Sequence, residues 1–295
     1  MLKKTVSTIA LALGLAVATP ALADTAASSN VPSKGKVLLV TTSADELTFK
    51  DGRIHRTGYF LGELTEPAQE LIKAGYEVVV ATPDGNTPPV DKNSINPALF
   101  GNSAEKMSQA MTFALTHPSM QKPTKLAEAI KNLNQYDGLY VPGGHGPMVD
   151  LMQDENLGKA LRHFQSKNQA IAMLCHGPIA FAAALDNPAA FRQAMVNGDT
   201  AIAQRLAKDW IFKGYNMTVY STLEEKGVED WLQGKIEFYM EDALRAAGAN
   251  VSVGGDSADY VVVDRNLVTG QNPFSDHQLA REMIKILDTQ VAAKK

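Results

Sequence analysis

Gln169-Ala-Ile-Ala-Met-Leu-Cys175-His176-Gly177-Pro178-Ile-Ala-Phe-Ala-Ala-Ala-Leu185 is the stretch that decides the fold. Residues 169–174 are short and apolar, as a buried strand is. The run breaks at His-Gly-Pro and resumes as an Ala-rich segment that reads as a helix. Cys175 stands on the turn between them. A side chain held there is exposed on a sharp bend over the N-terminus of the following helix. The helix dipole and free backbone N–H groups at that point favour a thiolate over a thiol. This is the geometry of a nucleophile elbow. The match to Gly-x-Ser-x-Gly is partial, because Met173 occupies the first glycine position and only Gly177 is present. A buried structural cysteine is the competing reading.

Working outward, the same alternation repeats. Lys36–Thr42, Tyr76–Thr82 and Gly138–Val141 read as buried strands, and Asn216–Tyr220 as another. Phe60–Ala74, Thr124–Asn134, Leu157–Lys167 and Ile236–Ala247 read as helices. Tyr260–Val263 and Asn266–Thr269 suggest a hairpin around Asp264-Arg265, followed by a closing helix over Phe274–Leu287. Strands alternating with helices predict an α/β fold with a mainly parallel sheet. Ligands in such sheets sit at the carboxyl ends of the strands, where Cys175 lies. Residues 35–292 read as one such domain. Two stretches, about 88–122 and 187–214, interrupt the alternation. They are read as insertions, either a cap over the site or surface decoration.

The chain begins with a secretory pattern. Lys3 and Lys4 precede an apolar run from Ile9 to Ala18, too short to span a bilayer, and Ala21-Leu22-Ala23 is an Ala-x-Ala cleavage site. The expectation is a signal peptide over 1–23, a flexible leader over 24–34 and an exported, periplasmic mature protein. Export sharpens the cysteine argument. Oxidising compartments favour disulfides, yet Cys175 is the only cysteine and cannot form an internal bridge. Removing the segment to Ala23 takes away two lysines and no acids, so the net charge moves from −4 to about −6. That argues against nucleic acid or an anionic membrane as the main partner.

A second signal is Tyr136-Asp-Gly-Leu-Tyr-Val-Pro142-Gly143-Gly144-His145-Gly146-Pro147. A strand here ends in a glycine-rich loop whose backbone N–H groups can approach a ligand closely, which suits an oxyanion site. No metal or nucleotide cofactor is expected. His55, His117, His145, His163 and His277 show no paired ligand spacing, and there is neither a Walker loop nor Gly-x-Gly-x-x-Gly.

Pro-Gly-Gly-His-Gly followed one β-α unit later by Leu-Cys-His-Gly-Pro resembles the ThiJ/PfpI superfamily, relatives of the class I glutamine amidotransferases. Three further segments resemble its heat-shock chaperone and glyoxalase III branch. They are Gly58-Tyr-Phe-Leu-Gly-Glu63-Leu-Thr-Glu-Pro67, Glu237-Phe-Tyr-Met-Glu-Asp-Ala-Leu244 before Gly248, and Thr269-Gly-Gln-Asn-Pro273. The resemblance covers roughly residues 36–287. It implies a flavodoxin-like three-layer sandwich, with Cys175 as nucleophile and His176 as its neighbour in the catalytic set. A third acid would follow the next strand: Glu225 is favoured, with Glu224 close behind. Glu63 would stand beside the cysteine, its pKa raised by burial so that the neutral acid donates a hydrogen bond to sulfur. Gly143, Gly144, His145 and Gly177 would line the oxyanion and substrate site.

The activity implied is a glutathione-independent glyoxalase acting on small 2-oxoaldehydes such as methylglyoxal, with no cofactor. Residue chemistry alone reaches only a cysteine nucleophile with an acid or base nearby. A holding chaperone, or an amidase, peptidase or deglycase using the same cysteine, are the alternatives. A homodimer is a further expectation of the resemblance.

Overall fold

The computed structural model describes residues 33–293; the secretory pattern and most of the leader lie outside them. The strand that opens the described chain, β1 (Gly35–Val40), shows how the layers arise. Val37 and Leu39 join one apolar cluster, whereas Leu38 and Val40 join another. Side chains alternate across a strand, so a strand that is apolar at every position must be covered on both faces.

Six more strands share that sheet: β2 (Tyr76–Thr82), β3 (Thr124–Lys125), β4 (Gly138–Val141), β5 (Ala170–Leu174), β6 (Val261–Asp264) and β7 (Leu267–Gly270). Their order is β6-β7-β5-β4-β1-β2-β3, parallel throughout except for the β6–β7 hairpin at one edge. Arg265 takes φ +58 in the hairpin turn. One face is covered by α1 (Leu61–Lys73), α2 (Ala104–Thr116) and the closing helix α8 (Asp276–Ala292). The other is covered by α3 (Glu155–Ser166), α4 (Pro188–Val196), α5 (Thr200–Leu206) and α7 (Met240–Ala247), with the segment Gly177–Ala184 packed beneath them. This is the three-layer, mainly parallel α/β sandwich.

Three segments need correction, two elements are added, and the helix expected from Ile236 begins at Met240. The Ala-rich segment after Cys175 is a 3₁₀ helix, Gly177–Ala184, buried at every residue. Its mean composition is so apolar that it has no polar face to set an α-helical period. Thr124–Asn134 is not one helix: Thr124–Lys125 adds the edge strand β3, a single α-turn covers Leu126–Ala129, and a 3₁₀ stretch with non-helical Asn132 follows. The strand read at Asn216–Tyr220 shrinks to Asn216–Met217 and pairs with Asn250–Val251 outside the main sheet. After it comes α6 (Thr222–Leu232), absent from the sequence reading and started by a full capping box between Ser221 and Glu224. A short hairpin, Glu46–Thr48 with Ile54–Arg56, was also not foreseen.

The insertions divide in use. The first, around 88–122, brings Asp91, Asn93, Asn96 and Leu99 to the cavity above Cys175. The second, 187–214, packs α4 and α5 against α7 and the core and contributes nothing to that cavity.

Candidate active site

Cys175 follows β5 directly. Its N–H donates to the Gly270 carbonyl at 2.9 Å, which carries the β5–β7 ladder one residue past the strand. Its φ is +60, in the left-handed region that a side chain rarely adopts. Such strain persists where the surroundings over-determine it, and it clusters at reactive sites. The bend turns the chain so that the adjacent residue faces the sulfur instead of pointing away. His176 Nδ1 lies 3.1 Å from Cys175 Sγ.

Glu225 completes the line from the first turn of α6. Its Oε2 is 2.8 Å from His176 Nε2, and its Oε1 is 2.9 Å from Nε2 of His145. Burial alone would raise the Glu225 pKa. The charges of the two imidazoles and their hydrogen bonds outweigh it and hold the carboxyl well below the usual range. An ionised carboxylate only accepts hydrogen bonds, so each Nε2 carries the hydrogen. His176, when neutral, therefore presents an Nδ1 lone pair to the thiol. Its ring stacks on Tyr220 with centroids 4.7 Å apart, and Tyr220 N–H holds the Cys175 carbonyl at 2.9 Å.

Glu224 does different work. The two glutamates sit on a helix turn and not on a strand end. Glu224 Oε2 accepts from Ser221 Oγ at 2.6 Å and Gln271 Nε2 at 2.9 Å, while Oε1 accepts from Asn272 Nδ2 at 2.8 Å and Ser257 N at 3.0 Å. It ties the start of α6 to the turn after β7.

Glu63 arrives from the first turn of α1 and is fully buried. The Gly143 N–H donates to its Oε2 at 2.9 Å. The other oxygen has no hydrogen-bond partner; the Cys175 thiol is the neighbouring group that acts on this carboxyl electrostatically, across Gly143. Burial pushes Glu63 up to about 8, only partly offset by those two groups. It is thus a neutral acid near pH 7. Gly143 is the spacer between the two side chains. A Cβ there would fall 2.5 Å from Glu63 Oε2 and 2.7 Å from Cys175 Cβ. What holds Glu63 is legible one turn further along. Pro67 has no N–H to give the Glu63 carbonyl, and the Tyr140 hydroxyl from β4 donates to that carbonyl instead.

The oxyanion assignments are revised in part. The Gly143 N–H is spent on Glu63. Gly177 does not line the cavity; it packs where a Cβ would meet the Val141 carbonyl at 2.6 Å. Gly144, at φ +88, aims its N–H at the sulfur. His145 lines the cavity, but its Nε2 is committed to Glu225. Among the described residues this is the one cluster of imidazoles and carboxylates close enough to suggest an ion. Its nitrogens and oxygens are spent on each other at hydrogen-bond distance, with Nε2 protonated, which is not how an imidazole ligates a metal.

The thiol departs from the sequence expectation. Cys175 is buried, and burial followed by the neighbouring Glu63 carboxyl pushes its pKa well above that of a free cysteine, with only Gly144 N–H opposing. The 3₁₀ segment that follows supplies no α-helical N-terminus to lower it.

Above the sulfur lies a cavity of about 380 Å³, within the usual range for small-molecule sites. His55, Asp91 and Asn96 form one polar side, and Trp231, Leu232 and Phe274 the apolar rim.

A strained cysteine on a β-strand end, backed by a histidine–carboxylate pair in a doubly covered parallel sheet, defines an α/β protein with a cysteine–histidine–carboxylate line at its strand ends. The chain belongs to the ThiJ/PfpI family, whose ThiJ/PfpI family-like pattern matches residues 54–219. It is 27% identical over 258 residues to the protein/nucleic acid deglycase HchA of Escherichia coli O157:H7, covering 85% of this chain and 81% of the relative. The 24 kDa Rapid Encystment Protein of Francisella tularensis superposes with a TM-score of 0.67 at 27% identity, over 86% of this chain and 99% of that one. Glyoxalase III of Candida albicans shares the fold with a TM-score of 0.62 at 23% identity, over 86% and 97% of the two chains. The similarity places this chain in the branch of the family that holds these proteins.

Proposed function

We propose that this protein is a cysteine-dependent enzyme that converts small 2-oxoaldehydes such as methylglyoxal to 2-hydroxy acids without glutathione. The observation that carries the proposal is the setting of the sulfur: His176 Nδ1 lies 3.1 Å away, and the buried Glu63 carboxyl stands beside it across Gly143.

His176 takes the thiol proton as sulfur adds to the aldehyde carbon, and returns it to the new alkoxide to give a hemithioacetal. The same imidazole then removes the proton from that carbon. The electron pair moves into an enediol, and the proton is delivered to the adjacent carbon. The product is a 2-hydroxy thioester, with no net oxidation. Water cleaves the thioester and restores the thiol. The Glu63 O–H and Gly144 N–H are placed to hold charge developing at sulfur and oxygen. Glu225 orients His176 and stabilises its charged form, as the acid does in a triad. No step uses a cofactor.

A second reading shares the first step. The deglycase named among the relatives acts on protein and nucleic acid, by its name. Here the cavity opens past Trp231, 65% exposed, and Phe274, 45% exposed, and is roomy for a free three-carbon aldehyde. Attack on the same carbon in an aminocarbinol would form the C–S bond and break the C–N bond, with the thiol proton passing through His176 to the leaving amine, and would give the same hemithioacetal.

Purified protein is given methylglyoxal without glutathione, and lactate is followed. Wild type should form lactate and Cys175→Ala should not. Equal lactate formation by a folded Cys175→Ala protein, or none by wild type, would overturn the glyoxalase reading. Lactate together with released amine from an aminocarbinol, with no lactate from free methylglyoxal, would favour the second.

A further inference from the structure

We propose that the Tyr220 hydroxyl is a further catalytic group, which donates to the oxygen on the carbon next to the one that sulfur attacks and so fits the site to a vicinal dicarbonyl over a simple aldehyde. The assignment rests on the glyoxalase reading of the same site.

Tyr220 is held by the elbow itself. Its N–H donates to the Cys175 carbonyl at 2.9 Å, and its ring lies over the His176 imidazole with centroids 4.7 Å apart and planes 24° from parallel. The ring packs against both apolar layers at the end of the sheet. It also lines the cavity above the sulfur, beside Cys175 and His176. A phenylalanine would meet all of these contacts. The hydroxyl has no hydrogen-bond partner among the described residues, and it is not sealed in the core, so it opens on the cavity. Other polar side chains there are committed to the protein. His145 Nε2 is on Glu225, Glu224 is filled by its donors, and Asn272 Nδ2 donates to Glu224 and to the Ala258 carbonyl. Tyr220 is thus an uncommitted donor in contact with the catalytic histidine.

The tetrahedral carbon bonded to sulfur directs what this donor meets. Its oxygen turns to the Gly144 N–H, and its hydrogen to His176 Nδ1, which removes it. The fourth bond leads to the second carbonyl, and the direction left for it is out into the cavity, past the ring stacked on His176. As the proton leaves, its electron pair forms the carbon–carbon double bond and the carbonyl π pair moves onto the second oxygen. That oxygen becomes negative beside a phenol O–H, a contact that strengthens as the charge develops. His176 then returns its proton to the second carbon as the proton of the first hydroxyl passes to the second oxygen. The 2-hydroxy thioester results, and the phenol ends as it began. Burial and the nearby thiol and carboxylates push the Tyr220 pKa up, so the phenol keeps the hydrogen it donates.

Tyr220→Phe leaves the ring on His176 and removes only the hydroxyl. The first readout needs no turnover. It is protection of Cys175 from iodoacetamide by methylglyoxal and by propanal, the same three-carbon aldehyde without the second oxygen. In the variant the half-protecting concentration of methylglyoxal should rise about tenfold, the worth of one hydrogen bond. That of propanal, and the alkylation rate of the free protein, should stay unchanged. The second readout is lactate formation, whose kcat should fall about a hundredfold, as on loss of one donor to a developing oxyanion. A variant equal to wild type in both readouts overturns the proposal. So does one whose propanal protection or free alkylation shifts as much as its response to methylglyoxal. Absence of any protection of wild type by methylglyoxal overturns the proposal together with the glyoxalase reading. Protection that shifts as expected, with no lactate from wild type, overturns that reading alone and leaves the Tyr220 contact standing.

Discussion

At the scale of single residues, Glu224 and Glu225 are adjacent acids with opposite duties. Glu225 is spent on imidazoles, whereas Glu224 accepts from five donors on Ser221, Ser257, Gln271 and Asn272. Glu225→Gln should lower kcat by orders of magnitude, because the amide cannot hold an imidazolium, and it should also cost stability above pH 4.5, where the carboxylate stabilises the fold. Glu224→Gln should cost stability while leaving kcat largely intact. It turns an acceptor into a donor against Gln271 and Asn272, and a buried mismatch of this kind costs about 1–3 kcal/mol. Turnover and urea denaturation on the two variants check this; equal loss of kcat in both sinks the division. The sequence could raise both glutamates as candidates, because the family resemblance places an acid there. It could not show that a helix begins at Ser221, since the capping box was hidden behind an expected strand. Nor could it show His145 on Glu225. A lone histidine in a glycine loop carries no local mark of a partner 80 residues away.

Elements were legible where composition forced them. β2 and β4 are largely apolar runs followed by proline, and their limits match the sequence reading residue for residue, Tyr76–Thr82 and Gly138–Val141. The misread segments are those where tertiary contact decides. The edge strand β3 is two residues long, and Gly177–Ala184 is so apolar that periodicity is silent. One element contact explains a motif the sequence offered without a reason, the glutamate four residues before Pro67. The proline frees the Glu63 carbonyl, and Tyr140 on β4 donates to it, which fixes α1 to the sheet beside Cys175. Tyr140→Phe should destabilise by about 1–3 kcal/mol, the cost of an unsatisfied buried carbonyl. Pro67→Ala in the Tyr140→Phe background should recover part of that loss by returning the helical N–H. A double-mutant cycle with zero coupling would remove this account of α1.

For the whole molecule, the expected export and the buried acid can each be tested. If 1–23 is a signal peptide, protein recovered from the exporting cell should begin at Asp24; an intact Met1 by mass spectrometry would refute cleavage. The larger consequence is how stability follows pH. Glu63 rises from 4.5 to about 8 on burial, so the folded protein keeps a proton that the unfolded chain has lost. A raised carboxyl pKa contributes no penalty below 4.5. Between 4.5 and 8 it costs stability progressively, on the order of 1.4 kcal/mol per unit before relaxation. Glu225 works the other way: its lowered pKa stabilises the fold above 4.5, and that contribution is lost in acid. His145, raised above 6.5, adds stability below that value and loses it as pH climbs through the folded pKa. The three together put the stability maximum on the mildly acidic side. Glu63→Gln isolates the first. The amide oxygen can still accept from Gly143 N–H, and its NH₂ can face sulfur, but nothing is left to ionise. The variant should match wild type near pH 4. At pH 8 it should melt several degrees higher, with about 5 kcal/mol as the upper bound before relaxation, from about 1.4 kcal/mol per unit between 4.5 and 8. It should also lose activity if Glu63 must give up its proton in turnover, and keep much of it if the group only donates. A melting difference that is the same at pH 4 and pH 8 would mean that Glu63 is not protonated in the folded protein, and the neutral acid beside the cysteine would have to be abandoned.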